Sequence, residues 1–216
     1  MTPVLHGYFR SSASYRVRIA LNLKGIDYEQ ASVHLTRDGG AQFTAGFREL
    51  NPQALVPVLR DGDLVLGQSM AILEYFEDRW PMPALLPADP ARRAWVRQLA
   101  LIVACDVHPL NNLRVLRYLT DRLGAGEPEK TAWIHHWIAL GLKSMELLLA
   151  RAPQRGRFCD GDSPTLADCC LVPQMFNARR FNVPLDPYPR LCAIEAECLA
   201  LEAFASAHPS RQPDAE

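Results

Sequence analysis

The sequence predicts two units, a small α/β unit followed by an all-helical one. Three observations predict this. Short apolar runs with strand composition alternate with helical segments over about the first 80 residues. The stretch W-P-M-P-A-L-L-P-A-D-P, residues 80–90, holds four prolines and reads as a linker. Beyond it the apolar residues recur with helical spacing throughout.

The elements follow in order. Val4 to Phe9 is short and apolar with an aromatic end, a strand. Ser12 to Lys24 is a helix stopped by Gly25. Projected at about 100° per residue, its apolar residues cover most of the circumference, so it is buried on most sides. Arg16 falls inside the apolar arc and needs a partner or a ligand. Arg18 and Asn22 form a narrow polar strip, which places Arg18 on the surface. Tyr28 to Leu35 is the second strand, and Thr36 to about Asn51 is a glycine-bearing loop. Leu55–Leu59 and Leu64–Leu66 are two strands joined by R-D-G-D, a hairpin signal. Pro57 lacks a ladder donor, so it marks an edge, a bulge or a cis bond. A helix from Gln68-Ser69 to about Asp78 has Ser69 as its N-cap. After the linker come helices over Ala91–Leu123, Glu127–Arg151, Thr165–Phe181 and Tyr188–His208. T-L-A-D, residues 165–168, has the form of a capping box. Pro109 breaks or kinks the first of these helices. The tail S-R-Q-P-D-A-E reads as frayed.

Composition excludes several functions. The 216 residues carry 23 basic and 24 acidic side chains, a formal net charge of −1. That argues against a dedicated binder of nucleic acid or anionic membranes. The longest pure apolar run, Leu99 to Cys105, is too short for a membrane span. The first residues lack a basic region followed by a long apolar one, so a cytoplasmic protein is expected. None of the six cysteines forms C-x-x-C, and all lie at or beyond residue 105; they read as small buried hydrophobes in a reducing compartment. Cys105 and His108 imitate a ligand pair, but a metal needs more ligands and none is placed.

The segment F-R-S-S-A-S-Y-R-V-R-I-A-L, residues 9–21, supplies more hydroxyls than a helix cap needs. From the residues alone, capping by one serine competes with a second reading, in which the helix start binds an anion. Ser69 leaves the same two readings open at its own helix start. H-P-L-N-N-L-R, residues 108–114, is unusually polar for a core helix.

These motifs together carry a resemblance. The first unit, with a proline opening its third strand, resembles a thioredoxin-like domain, and a helical partner after a short linker resembles a glutathione S-transferase. S-S-A-S-Y-R-V-R-I-A-L is similar to the zeta-class signature, commonly written S-S-C-x-W-R-V-R-I-A-L. L-V-P-V-L, Q-S-M-A-I-L-E-Y, L-A-D-C-C-L-V-P-Q, N-A-R-R-F and the tail R-Q-P-D resemble further zeta-class segments. Ala13 stands where the signature has cysteine and Tyr15 where it has tryptophan. Ala13 removes thiol exchange at this helix start, which needs a cysteine there.

The resemblance implies an α/β thioredoxin-like domain over residues 1–82 that binds glutathione. It implies an all-α domain over residues 88–216 that binds substrate. It implies a homodimeric, glutathione-dependent cis–trans isomerase acting on maleylacetoacetate, with maleylpyruvate or α-haloacids as alternative substrates. Ser11 would stabilise the glutathione thiolate, with Ser12 and Ser14 in the same loop. Val56 would pair through its backbone with the cysteinyl part, and Gln68 and Ser69 would hold the γ-glutamyl carboxylate. Gln42, His108 and Asn112 would lie near glutathione. Arg10, Arg114 and Arg180 would hold a dicarboxylate substrate and its enolate. From the residues alone, Arg114 and Arg180 also read as a solvated helix face.

Overall fold

The computed structural model describes residues 2–152 and 156–216. Contacts group the chain into two units, residues 1–85 with 200–216, and residues 86–199. The division between Leu85 and Leu86 lies within the proline-bearing segment 80–90. Residues 200–216, expected with the helical domain, pack with the α/β unit instead.

The first unit has four strands: β1 (Val4–Gly7), β2 (Glu29–Ser32), β3 (Val58–Asp61) and β4 (Leu64–Gly67). They form one sheet in the order β2-β1-β3-β4. β1 runs parallel to β2 and antiparallel to β3, and β3 is antiparallel to β4. The parallel pair needs a crossover, supplied by α1 (Ser12–Leu23). α2 (Ala45–Leu50) and α3 (Ser69–Arg79) complete the helices before the linker. Leu5, Val17, Leu21, Leu59, Ile72 and Phe76 are buried in this unit's core.

Several elements differ from expectation. The second strand ends at Ser32, because the chain then turns through Arg37–Gly39 and Ala41–Phe43. α2 lies inside the expected loop. Six residues are too few to show a helical period, yet Phe47 is buried beside Val33 and Val58 and anchors the turn. The α3 cap is Gln68, at φ 65°, and Ser69 is the first helical residue. The Val56–Pro57 and Met82–Pro83 peptides are cis.

Arg18 is 1% exposed, so its surface placement is corrected. The residues after Leu199 account for this, because they cover the polar strip of α1. Arg18 Nε donates to Ala207 O at 3.1 Å, and its NH2 to Phe9 O at 3.0 Å. Asn22 Nδ2 donates to Ala203 O at 3.0 Å, in the short helix Glu202–Ala205. Nor is the tail frayed. Asp214 accepts hydrogen bonds from Phe9 N, Gln30 and Ser32, and Glu216 pairs with His34 and Arg37.

The second unit comprises α4 (Pro90–Leu101), α5 (Leu113–Asp121), α6 (Glu127–Arg151), α7 (Leu166–Arg180) and α8 (Pro189–Leu199). The expected long helix over 91–123 is broken. Ile102–Val107 widens to a π-helical turn and Pro109–Asn111 tightens to a 3₁₀ turn, since Pro109 cannot donate. Within Pro90–Asp121 an 18-residue window reaches a mean hydropathy of 1.2, enough by length and composition for a membrane span, which the short apolar runs of the sequence do not predict. Pro90–Asp121 also carries five arginines. Val96, Leu99, Val103 and Val107 are buried, and 22% of that window is buried in all. The capping box forms: Asp168 accepts from Thr165 N and Thr165 Oγ1, both at 2.7 Å, and from Cys159 N at 2.9 Å.

Candidate functional site

The start of α1 is the first part of the site. Ser11 is its N-cap, and Ser11 Oγ accepts from Ser14 N at 3.2 Å. Accepting that bond leaves the hydroxyl hydrogen available to donate to an anion. Tyr15 N is satisfied by Ser11 O at 2.8 Å. The N–H groups of Ser12 and Ala13, at the first two helical positions, have no intrahelical acceptor by helix geometry. The helix dipole adds a positive end at the same place. Ser12 is buried here. Ser14 is fully buried beneath β1, and a Cβ built on Gly7 would sit 3.1 Å from its Oγ. Ser14 therefore faces the sheet, unlike Ser11.

Arg10 precedes the cap. Its NH2 donates to Tyr8 Oη at 2.9 Å, and its guanidinium lies 5.1 Å from the Phe9 ring centroid. Two aromatic rings therefore fix a cation next to Ser11.

The start of α3 is the second part. Gln68 Nε2 donates to Gln53 Oε1 at 2.8 Å. Ser69 Oγ accepts from Arg16 NH1 at 3.1 Å. Arg16 is 2% exposed and thereby links α1 to the first residue of α3. The expectation that Arg16 needs a partner is met by a hydroxyl. Between the two helix starts lies the segment before β3. Asn51 shapes it: its side chain accepts from Gln53 N at 3.0 Å and donates to Leu55 O at 2.8 Å. The β3 pairing begins at Val58, so Val56 precedes the ladder.

Gln42 behaves differently. It is 4% exposed, and its Nε2 donates to Leu35 O at 3.2 Å. It braces the loop after β2. In the second unit, His108 is half-buried where the π-helical turn meets the 3₁₀ turn, and its N–H donates to Val103 O at 2.9 Å. Asn112 caps α5, with Oδ1 accepting from Arg114 N at 3.1 Å. Arg114 and Arg180 are exposed. Arg180 lies over the Phe181 ring at 4.9 Å, while its neighbour Arg179 pairs with Glu195.

Sequence reasoning missed Asn51, Gln53 and Tyr8. Tyr8 and Asn51 act on residues a few positions away, Gln53 acts on Gln68 fifteen residues on, and none carries a motif. It missed Asp214 too, although the R-Q-P-D motif that contains it is a signal that could have found it.

The donor set suits glutathione, an anionic tripeptide. Two helix starts offer N–H groups to anions, and Val56 offers main chain outside the ladder. The family model for the glutathione S-transferase N-terminal domain matches residues 10–79. The chain is 50% identical over 215 residues to a probable maleylacetoacetate isomerase of Vibrio cholerae, covering 100% of this chain and 99% of that protein. It is 52% identical over 210 residues to a maleylpyruvate isomerase of a Ralstonia species, covering 97% and 98%. Among solved structures, the holo form of a bacterial zeta-class maleylpyruvate isomerase superposes with TM-score 0.96 at 51% identity, covering 99% and 100%. A maleylacetoacetate isomerase of Methylobacterium extorquens with bound malonate and glutathione gives 0.95 at 42%, covering 99% of each chain. The chain belongs to the zeta-class glutathione S-transferase family.

Proposed function

We propose that this chain is a glutathione-dependent cis–trans isomerase that converts maleylacetoacetate to fumarylacetoacetate in tyrosine and phenylalanine breakdown. The observation that carries the reading is the α1 start, where the Ser11 cap leaves a hydroxyl hydrogen to donate beside open N–H groups. Bound glutathione supplies a thiolate that adds to the cis double bond, allows rotation about the resulting single bond, and leaves as the trans product forms. Ser11, with Ser12 in the same loop, stabilises that thiolate. Gln68 and Ser69 hold the γ-glutamyl carboxylate, and Val56 pairs with the cysteinyl part. Arg10, Arg114 and Arg180 neutralise substrate carboxylates and the enolate. His108 and Asn112 contribute to glutathione binding. Ser14, packed beneath Gly7, and Gln42, which donates to Leu35 O, complete the glutathione-binding set. The first unit binds glutathione and the helical unit binds substrate. The protein is a cytoplasmic homodimer.

A second reading, maleylpyruvate isomerase, is favoured equally by the 52% identity to the Ralstonia enzyme. Ultraviolet assay of the purified protein on both cis-enediones separates the two by kcat/KM. Omitting glutathione is expected to abolish turnover, and isomerisation that persists without it would sink the mechanism. Conjugation of an α-haloacid faster than either isomerisation would move the protein to a transferase role. Ser11→Ala is expected to lower kcat roughly a hundredfold, the scale of one lost oxyanion-type donor. Arg114→Ala and Arg180→Ala are expected to raise KM for the enedione more than KM for glutathione; equal effects on both would remove them from substrate binding.

A further inference from the structure

We infer that Asp214, near the end of the chain, is a positioning residue for the Ser11 turn, acting through the Phe9 peptide. The inference rests on the reading of Ser11 as the thiolate partner.

The turn between β1 and α1 spans Tyr8 to Ser11 and decides where the Ser11 hydroxyl and the first N–H groups of α1 point. Sheet pairing does not hold it, since β1 ends at Gly7. Side chains hold it instead. Phe9 N donates to Asp214 Oδ2 at 3.1 Å. Phe9 O accepts from Arg18 NH2 at 3.0 Å, and Tyr8 O accepts from Ser11 N at 3.0 Å. Phe9 is thus held at its N–H by an anion and at its carbonyl, in the next peptide unit, by a buried cation.

The anion is itself well anchored. Asp214 Oδ2 also accepts from Ser32 Oγ at 2.9 Å, and Oδ1 accepts from Gln30 Nε2 at 3.1 Å. Both donors lie on β2, so the carboxylate transfers the position of that strand to the turn. Charge-assisted bonds of this kind are stronger and more directional than neutral ones. The tail is held in place to do this. Arg18 Nε binds Ala207 O, and Gln212 Nε2 donates to Ser206 O and His208 O, both at 2.9 Å. Phe9 also stacks under the Arg10 guanidinium, so rotation of its peptide would displace Arg10 together with Ser11. Asp214 makes no hydrogen bond to Ser11 itself, which makes its role positional.

The test titrates the thiol of bound glutathione by thiolate absorbance, with steady-state kinetics alongside, for wild type, Asp214→Ala, Asp214→Asn and Ser11→Ala. Asp214→Ala is expected to raise the bound thiol's pKa by roughly half a unit or more and to lower kcat roughly three- to tenfold. KM for glutathione is expected to stay within about twofold, because Gln68 and Ser69 are untouched. Asp214→Asn keeps one carbonyl acceptor for Phe9 N, so it is expected to lie between Asp214→Ala and wild type. A lower thermal midpoint with an unchanged thiol titration would make Asp214 a structural tie only and overturn the inference. If Asp214→Ala fails to fold, the same titration on Asp214→Asn decides by the same criterion. Ser11→Ala reports separately. A wild-type thiol titration there removes Ser11 as the thiolate partner, whereas a raised value there with unchanged Asp214 variants defeats only the positional role.

Discussion

Arg18 carries a charge into the core of the first unit and gives it to main-chain carbonyls. Burial pushes its pKa down to about 10, yet it stays protonated at neutral pH. Its hydrogen bonds go to Phe9 O and Ala207 O, with a longer one of 3.5 Å to Tyr8 O, so backbone oxygens and not a carboxylate meet the guanidinium. Arg18→Met is expected to destabilise the protein by about 3 kcal/mol, the scale of losing hydrogen bonds from a buried ion and stranding their acceptors. Arg18→Lys is not expected to recover this, because one ammonium cannot reproduce the guanidinium fork. Urea unfolding checks both, and a loss below about 1 kcal/mol for Arg18→Met would show that water replaces those bonds. The two arginines of α1 also show what a sequence reveals about single residues. Arg16 sits in the apolar arc, and the arc alone demanded a partner for it. Arg18 sits in the polar strip, and only the chain after Leu199 turns that strip into an interior. Its acceptors are backbone atoms, which residue types do not display. For the same reason the place of Ser11 at the helix start was legible, while the orientation of Ser14 against Gly7 was not.

At the scale of elements, the break after α4 is the feature that shapes the second unit. The π-helical turn Ile102–Val107 packs on α6 with Val107 seated over Gly141. A Cβ on Gly141 would lie 2.1 Å from Val107 Cγ2, so only glycine admits this packing. Two further bonds fix the 3₁₀ turn beyond it: Trp133 Nε1 donates to Leu110 O at 2.9 Å, and Asn111 Nδ2 to Val107 O at 3.3 Å. Gly141→Ala is expected to cost about 1–3 kcal/mol by overpacking, despite the better helix propensity of alanine. Adding Val107→Ala is expected to recover part of that loss by vacating the contact, and a double-mutant cycle in urea measures the coupling. Additive effects would mean that the two residues do not share the strain. The strands, α1, α3 and the late helices were legible as elements from composition and period, but β3 begins at Val58 and not Leu55, and α8 ends at Leu199 and not His208. Pro109 marked the break, but the widened turn before it was not legible, since it depends on a glycine more than thirty residues away. α2 was hidden for the opposite reason: a single buried aromatic, Phe47, anchors six residues with no period to read.

The whole molecule couples these contacts to pH through two histidines of the first unit. His6 and His208 both have pKa values lowered from the ordinary value near 6.5, first by burial. Arg60 adds repulsion at His6, and Arg18 and Arg211 add it at His208. His208 also faces the Tyr15 ring edge-on at 6.2 Å. Its Nδ1 accepts from Ser210 N at 3.2 Å, so protonation there would break the cap of the turn Pro209–Arg211. Linkage sets the sign. The folded state holds these rings neutral, so as pH falls below about 6.5 the unfolded chain takes up protons first. Their contribution is present in full above that value and is lost as pH falls through the lower folded values. The first unit is therefore expected to soften in mild acid, beginning with residues 206–214 and with the Asp214 contact to Phe9. Hydrogen exchange between about pH 7 and pH 5 is expected to show amides of β1 and the start of α1 losing protection before those of α6 and α7. His208→Asn, which keeps an acceptor for Ser210 N without a titrating ring, is expected to flatten that response and to preserve the bound-thiol titration at the lower end of the range. An unchanged slope in this variant would assign the acid sensitivity to His6, and the companion His6→Asn protein then carries the flattening instead. Retention of the full slope with both rings replaced would remove histidine linkage as its cause.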